Sequence, residues 1–344
     1  MSTDQRGGHP RASPADPAGG SADGRLSAGQ RREPASHDGE TGPTTGSSAA
    51  AVRPIPGQPD ERRPGLLAAV PSWFRFLRSE LRLVFLRPRN LALLGVLAAV
   101  PIFFGIVLRL TLHSASGGGN GPQFLNQLSG NGVFLALVVL FLTETLLLLP
   151  LAIAVVTGDA IAGEAGLGTL RVLLTVPAGR TRLLAVKYAA IVVFSAAACL
   201  LVTVVSLIMG LLLFHTGPVT LLSGTTVSLG SGVLRVLAVA AYTAVAMMSL
   251  GAIGLAASAL TTHPVGAIAG LLVLIVASEI CDQLQQLSAI HAYLPTHWWL
   301  SWDGLFRSPI DLSGVASGLV SFAVYAAIFG SIAWARLTSA DVSS

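Results

Sequence analysis

Charged residues, and lysine above all, are scarce in this sequence. Asp, Glu, Lys and Arg make up 11% of the 344 residues, whereas a soluble globular domain carries about a quarter. The charges are also unevenly spread: residues 1–89 hold 13 of the 21 basic and 9 of the 17 acidic residues, and residues 90–344 have no net charge. This composition argues against a soluble protein, and without a basic stripe in the apolar part we expect no nucleic-acid partner.

Three further absences narrow the chemistry. Because Lys187 is the only lysine and follows Ala185-Val186, the chain lacks the phosphate-binding pattern Gly-x-x-x-x-Gly-Lys-Ser/Thr. Gly166-Leu167-Gly168 is no dinucleotide site either, since no βαβ unit surrounds it. Cys199 and Cys281 lie in or beside different apolar segments and cannot form a disulfide framework. We therefore expect a protein that is not an enzyme by itself, with no catalytic residue and no directly bound cofactor.

Long apolar runs are what the sequence has in abundance. Hydrophobic residues make up 52% of the chain, and the mean hydropathy is +0.70. A helix needs roughly 20 residues to cross about 30 Å of hydrocarbon, and the two-residue alternation of membrane barrels is missing. The fold class predicted is therefore an all-α integral membrane protein with about six transmembrane helices within residues 91–337. The runs lie at about 91–112, 133–157, 184–214, 233–260, 265–280 and 312–335.

The segments before the first run and after the last have a different composition. Residues 1–65 are rich in Gly, Pro, Ser and Arg and predict a disordered cytoplasmic tail; residues 338–344 predict a second, short tail. Residues 66–90 predict an interfacial amphipathic helix whose arginines face lipid head groups; a soluble helix packed on a partner is the alternative. Its apolar side would hold Trp73, Leu77, Leu81, Val84 and Phe85, and its polar side Arg75, Arg78, Ser79 and Arg82.

Basic residues near the runs predict the orientation. With the N-terminus inside, ten of them fall on the cytoplasmic side and three on the other, as the positive-inside rule requires for an even number of spans. Both termini would then be cytoplasmic. The inner set is Arg75, Arg78, Arg82, Arg87, Arg89, Arg171, Arg180, Arg182, Lys187 and Arg336; the outer set is Arg109, Arg235 and Arg307.

The connection between the second and third runs, residues 158–183, differs from the others in composition. Its glycines precede Thr169, from which leucines at helical spacing predict a short amphipathic helix that ends at Pro177. Such a helix between two spans offers a compact surface to a cytosolic partner. The segment's charged residues are Asp159, Glu164, Arg171, Arg180 and Arg182.

This segment resembles the loop of ABC-2 family permeases of ABC transporters. The matching residues are Gly163-Glu164, Gly168-Thr169-Leu170, Leu173-Leu174, Pro177, Arg180, Leu183 and Lys187. Where members often carry charge, this chain has Ala165-Gly166-Leu167, and the six-span layout extends the resemblance over about 66–337.

The resemblance implies that this loop is a coupling helix that docks in a cleft of a cytosolic ATPase dimer. ATP and Mg²⁺ would bind to that partner, and two permease chains, identical or homologous, would line the path. The implied coupling residues are Gly163, Glu164, Gly168, Thr169, Leu170, Arg171, Leu173, Pro177 and Arg180. Among them, Glu164 and Arg171 would be ion-pair partners, although a solvated surface pair is the alternative.

Polar residues within the runs suggest the path itself. Glu144 lies near the middle of the second span beside Thr143, where a charge costs about 2.5–3.5 kcal/mol. It would line the translocation path, act as a proton-linked switch, or be a neutral acid bonded between helices. Glu279 closes the fifth span at its outer end. Residues 283–311 predict an outer helical element, and its histidines show no spacing typical of a metal site.

Three functions follow from these features. The leading one is the permease subunit of an ABC exporter in a bacterial plasma membrane, with a separate ATP-binding subunit. The second is a secondary transporter driven by an ion gradient through Glu144, which would predict inverted repeats. The third is a membrane-embedded enzyme, which would need converging reactive groups at one depth.

Overall fold

The computed structural model describes residues 72–115, 131–163, 180–214, 217–221 and 223–339. The predicted tail at 1–65 lies outside these residues, as do residues 340–344. The nine α-helices of the described part are α1 (Ser72–Leu86), α2 (Pro88–Ala115), α3 (Val133–Thr145), α4 (Leu148–Ala160), α5 (Arg180–Leu213), α6 (Leu229–Leu260), α7 (Pro264–Gln283), α8 (Ser288–His291) and α9 (Ser313–Ser339). Two 3₁₀ turns, Gln285–Leu287 and Ser301–Phe306, and an antiparallel pair of two-residue strands, β1 (Val219–Thr220) and β2 (Thr226–Val227), complete them.

The predicted all-α membrane architecture is confirmed. Five helices, α2, α5, α6, α7 and α9, are each long and apolar enough to cross a bilayer. Helices α3 and α4 pass the same test only together, and they form a sixth span bent by 52°. Each predicted run lies in the corresponding helix or pair of helices to within a residue or so, and most helices extend a few residues beyond it. The fifth run, the shortest in the sequence, is the 20-residue helix α7.

The bend in the second span has a local cause. Pro150 lies in the first turn of α4 and has no N–H to donate to the carbonyl of Leu146, so the hydrogen-bond ladder is interrupted. The chain restarts through Leu147, which has a left-handed backbone with φ of 61°. Helical hydrogen bonds are present on both sides of the bend. The N–H of Leu146 donates to Leu142 O at 2.8 Å, and the N–H of Leu151 donates to Leu147 O at 2.8 Å.

Helix α6 is the centre of the bundle. It is the most buried of the spans and contacts α3, α4, α5, α7 and α9, whereas α9 is the least buried.

Two glycines allow α3 and α5 to approach each other closely. A Cβ on Gly132 would lie 2.1 Å from the carbonyl oxygen of Gly210, and a Cβ on Gly210 would lie 2.0 Å from the carbonyl oxygen of Gly132. The N-terminus of α3 therefore meets α5 backbone to backbone, as small residues permit in membrane helices.

The predicted amphipathic segment forms α1, and part of its apolar side faces protein. Val84 and Phe85 pack against the core, and the Phe85 ring lies 5.7 Å from that of Phe194 on α5. Arg75, Arg78, Ser79 and Arg82 are exposed, as the pattern predicts. The apolar side of α1 therefore packs only in part against the other helices.

The helices define two ends of the bundle. We call the end with α1, the C-terminus of α4 and the N-terminus of α5 the basic end. We call residues 284–312, which join α7 to α9 at the opposite end, the cap.

Candidate functional site

A buried ion pair joins α1 to the third span at the basic end. Lys187 is only 3% exposed, and its Nζ donates to Glu80 Oε1 at 3.1 Å. The sequence pattern places Lys187 among the basic residues near the membrane boundary, and the structure adds that Glu80 compensates its charge inside the protein. Removing either partner alone would leave a buried charge, which is expensive.

A second set of charges joins the first two spans beside this pair. Arg87 and Arg89, at the start of α2, both contact Asp159 Oδ2 near the C-terminus of α4; the Arg87 distance is 3.4 Å. Arg89 also donates to Val155 O at 3.2 Å. Asp159 therefore lies in α4 and contacts α2, whereas the sequence pattern predicts that it lies in the connecting loop.

Both ends of the segment between α4 and α5 are fixed to other helices. Ser258 Oγ on α6 donates to Gly158 O at 3.0 Å and accepts from the backbone N–H groups of Ile161 and Ala162 at 3.1 and 2.9 Å. The first turn of α5 is held by α9, because Trp334 Nε1 donates to Thr181 Oγ1 at 3.1 Å. A displacement of this segment therefore acts on α1, α2, α6 and α9.

Most of the predicted coupling residues lie outside the described part of the chain. Gly163 is described, one turn beyond Asp159, and is half-buried. Arg180 is the first residue of α5. The seven outside are Glu164, Gly168, Thr169, Leu170, Arg171, Leu173 and Pro177.

The most unusual polar group in the described residues is the carboxyl of Glu144. It lies in the last turn of α3, immediately before the bend, and is 2% exposed. Among the described residues, neither of its oxygens has a hydrogen-bond partner, and the same holds for Nε1 of Trp302 and Oγ1 of Thr243, both buried. Trp302 lies within interaction distance of the carboxyl, so the bend faces the cap. An ionised carboxylate without donors is costly at this depth, which favours the neutral acid.

The other two predicted path residues behave differently. Thr143 is fully buried, and its hydroxyl contacts the carbonyls of Val139 at 2.9 Å and Leu140 at 3.0 Å within its own helix. Glu279 on α7 is partly buried and lies close enough to Glu144 to interact electrostatically. The structure therefore brings the two carboxyls into one region and directs the Thr143 hydroxyl away from it.

The cap is held by hydrogen bonds from three spans. On α6, Arg235 donates to the carbonyls of Leu305 at 2.6 Å and Arg307 at 2.9 Å, and Tyr242 donates to Trp298 O at 2.5 Å. The remaining bonds are Ser278 to Thr296 from α7, at 2.8 Å between hydroxyls, and Tyr325 to Tyr293 O from α9. The outer element is thus built mainly of short turns fixed by tertiary contacts.

Acidic residues of the cap are paired locally. Asp282, at the end of α7, is hydrogen-bonded through Oδ1 to His297 Nδ1 at 2.6 Å, and Asp303 accepts from Arg307 at 2.8 Å. No group of three His, Cys, Asp or Glu among the described residues is arranged to hold a metal ion. Ser313 donates its hydroxyl and its backbone N–H to Asp311 at 2.7 and 2.9 Å, which lowers the pKa of that carboxyl below its usual value.

Sequence reasoning missed the pairs Glu80–Lys187 and Asp159–Arg89 and the proximity of Trp302 to Glu144. One signal in the sequence could have revealed the second pair. Asp159 follows the second apolar run, and Arg87 and Arg89 precede the first. With antiparallel spans, these opposite charges lie at the same side of the membrane. No such signal exists for Trp302, which lies far from Glu144 in sequence.

Comparison with known proteins adds one finding. The chain matches a family model described as ABC-2 family transporter protein over residues 86–259. The match covers just over half of the sequence, from the start of α2 to the end of α6, and it includes the segment between α4 and α5. A search of curated proteins finds no significant match.

Proposed function

The chain belongs to the ABC-2 family of transporter membrane proteins, and from this premise we propose that it is the permease subunit of an ABC exporter. A separate cytosolic ATPase dimer supplies the energy, and that partner binds ATP and Mg²⁺. The observation that carries the proposal is the family match across α2–α6, because it includes the segment that the resemblance identifies as the coupling loop.

The contacts at the basic end support a mechanical role for this loop. Its two ends are held by Ser258 of α6 and by Trp334 of α9, and the adjacent Lys187 and Asp159 reach α1 and α2. A push on residues 164–179 would therefore move several helices together, which is what coupling to nucleotide-driven closure requires. Glu164 and Arg171 are the proposed ion-pair partners, and Thr169 orients the helix.

The orientation follows from the same assignment. The basic end faces the cytoplasm of a bacterial cell, both termini are cytoplasmic, and the cap faces outward. Nine of the ten predicted inner basic residues lie in α1, directly after it, in the first turns of α2 and α5, or in the loop, in agreement with the positive-inside rule.

The translocation path is formed with a second permease chain, identical or homologous. Glu144 and Glu279 are the proposed polar groups of the path, next to the bend of the second span and beneath the cap. Bending of α3 against α4 would change the distance between Glu144 and Trp302, and the cap would serve as the outer gate.

Co-purification and variant analysis test the proposal. The full chain, purified in mild detergent from its own cells, is expected to bring down an ATPase subunit. Glu164→Gln and Arg171→Gln are expected to reduce transport at least tenfold, with ATP turnover no longer linked to it and the amount of membrane-inserted protein unchanged. Arg78→Gln, which removes an exposed arginine of α1 at the same end, is the matched control.

A second candidate function rests on the buried carboxyl. An acid with no hydrogen-bond partner for either oxygen is also what a proton carrier of a secondary transporter would present. Vesicles that contain this chain alone separate the two functions. Transport that follows a pH gradient without any ATPase would establish the second function, and transport that needs ATP and the ATPase subunit would establish the first.

A further inference from the structure

The end of helix α4 is interrupted by a side chain from another helix. Ser258, fully buried in the last turn of α6, donates its hydroxyl to Gly158 O at 3.0 Å. The same oxygen accepts from the N–H groups of Ile161 and Ala162 at 3.1 and 2.9 Å. Because a hydroxyl has one hydrogen and two lone pairs, these three bonds use its full capacity.

The groups that Ser258 bridges are groups that an uninterrupted α-helix would join directly. Each N–H of an α-helix donates to the carbonyl four residues earlier, so Ala162 N–H would donate to Gly158 O. Here the Ser258 oxygen bonds to both groups, and α4 ends at Ala160. A side chain inserted into the hydrogen-bond ladder is a known cause of a break in a helix. Ser258 therefore fixes the position at which the chain leaves the second span.

The last turn of α4 is also packed tightly between α6 and α7. A Cβ on Gly254 of α6 would lie 2.2 Å from Thr157 Oγ1, and a Cβ on Gly158 would lie 2.4 Å from Cγ1 of Ile268 on α7. Helices in contact this close leave no room for one to slide past the other. The end of α4 is therefore expected to move together with α6 and α7, which residues 261–263 connect.

Helix α7 extends from this contact to the cap. Ser278 lies 14 residues after Pro264, the first residue of α7, which is about 21 Å at 1.5 Å per residue. The hydroxyl of Ser278 is bonded to that of Thr296 at 2.8 Å, and Asp282 is bonded to His297 at 2.6 Å. The start of the loop and the cap are thus attached to opposite ends of one helix.

We propose that Ser258 is the positioning residue through which a displacement of the loop reaches α7 and the cap. This role rests on the proposed function, in which an ATPase pushes on residues 164–179. With its three bonds in place, the start of the loop moves as one body with α6 and α7, and the cap follows. Without the hydroxyl, the loop moves while α7 keeps its position.

Hydrogen exchange of the full chain in detergent tests the anchoring in the absence of an ATPase. In Ser258→Ala, the backbone amides of Ile161 and Ala162 lose their buried acceptor and are expected to exchange at least tenfold faster than in the wild type. Ser195→Ala is the matched control, because Ser195 is also fully buried but donates within its own helix, to Ile191 O at 2.9 Å. Equal exchange of the two amides in the wild type and Ser258→Ala would overturn the proposal.

The response of the cap to ATP tests the transmission. Tyr293→Cys, at an exposed position of the cap, is labelled with bimane in a Cys281→Ser background, and the chain is purified together with its ATPase. ATP with Mg²⁺ is expected to change the bimane emission. Ser258→Ala is expected to lower this change per ATP hydrolysed at least fivefold, whereas Ser195→Ala leaves it intact.

The outcomes separate this role from the proposed function. An undiminished bimane response in Ser258→Ala would overturn the positioning role while the ATPase still binds. So would a cap that gives no response to ATP when Ser258 is present. A purified chain without any ATPase subunit would overturn the proposed function, and the positioning role with it.

Discussion

At the scale of single residues, Glu144 and Lys187 are the acidic and the basic side chain that the described part of the fold buries most deeply. Lys187 has Glu80 as a partner at 3.1 Å, whereas both carboxyl oxygens of Glu144 lack one in the described residues. A buried polar group without a partner lowers stability by about 1–3 kcal/mol. The two residues should therefore respond to substitution in opposite directions.

Glu144→Leu is expected to stabilise the protein by about 1–3 kcal/mol, because it removes oxygens that have no donors. It is also expected to reduce transport at least tenfold, since the path loses its buried polar group. Thermal unfolding in detergent and transport in vesicles measure the two effects. Glu144→Gln keeps the shape and polarity and shows whether an ionisable group is needed; a destabilised Glu144→Leu would mean that the carboxyl makes a bond absent from this account.

Lys187→Met is expected to destabilise the fold by up to about 3 kcal/mol, because it leaves the largely buried Glu80 carboxylate without its cation. The double variant Glu80→Gln with Lys187→Met removes both charges and is expected to recover most of that loss. The free energy of unfolding of the two single variants and the double variant gives the coupling between the residues. Additive losses would show that the pair does not interact as the structure indicates.

For Lys187, the sequence predicts the position at the membrane boundary but not the ion-pair partner. Its position near the start of a span marks it as a basic residue at the membrane boundary. Its partner is 107 residues away on α1, and the apolar pattern of α1 does not show that Glu80 faces the third span. Pairing depends on how two helices dock, and no local pattern encodes it.

At the scale of elements, the spans were predictable and the cap was not. Six apolar runs suffice to place the spans because each must satisfy its backbone within a helix, and Pro150 marks the bend of the second span. The cap contains two 3₁₀ turns and one four-residue helix, joined by irregular turns. Arg235, predicted among the outer basic residues, holds it through backbone carbonyls, a contact that only the tertiary structure determines.

The glycine contact between α3 and α5 gives a prediction at this scale. Gly210→Ala would place a Cβ 2.0 Å from the carbonyl oxygen of Gly132, and the two backbones must separate to relieve the clash. We expect a loss of stability of about 2 kcal/mol or more, measured by thermal unfolding.

Gly330→Ala is the matched control for that change, since nothing lies within 4 Å of the added Cβ. Alanine favours a helix by up to about 1 kcal/mol over glycine, so this variant is expected to be neutral or slightly more stable. Equal effects of the two substitutions would contradict the close approach of α3 and α5.

At the scale of the whole molecule, the basic end and the cap are linked through the bent second span. Asp159 and the ends of the loop lie at one end of α4, and Glu144 lies at its other end, facing Trp302 of the cap. A movement of the loop would reach the cap through this helix and through α6. We therefore propose that residues 164–179 receive force from an ATPase.

Photo-crosslinking at the loop tests that claim most directly. A photoreactive amino acid in place of Val172 is expected to crosslink to an ATPase subunit in native membranes, whereas the same group in place of Ser223, beside the short strands between α5 and α6, is expected to give no such product. A crosslink to the ATPase from position 223 and none from position 172 would show that residues 164–179 do not dock on the ATPase.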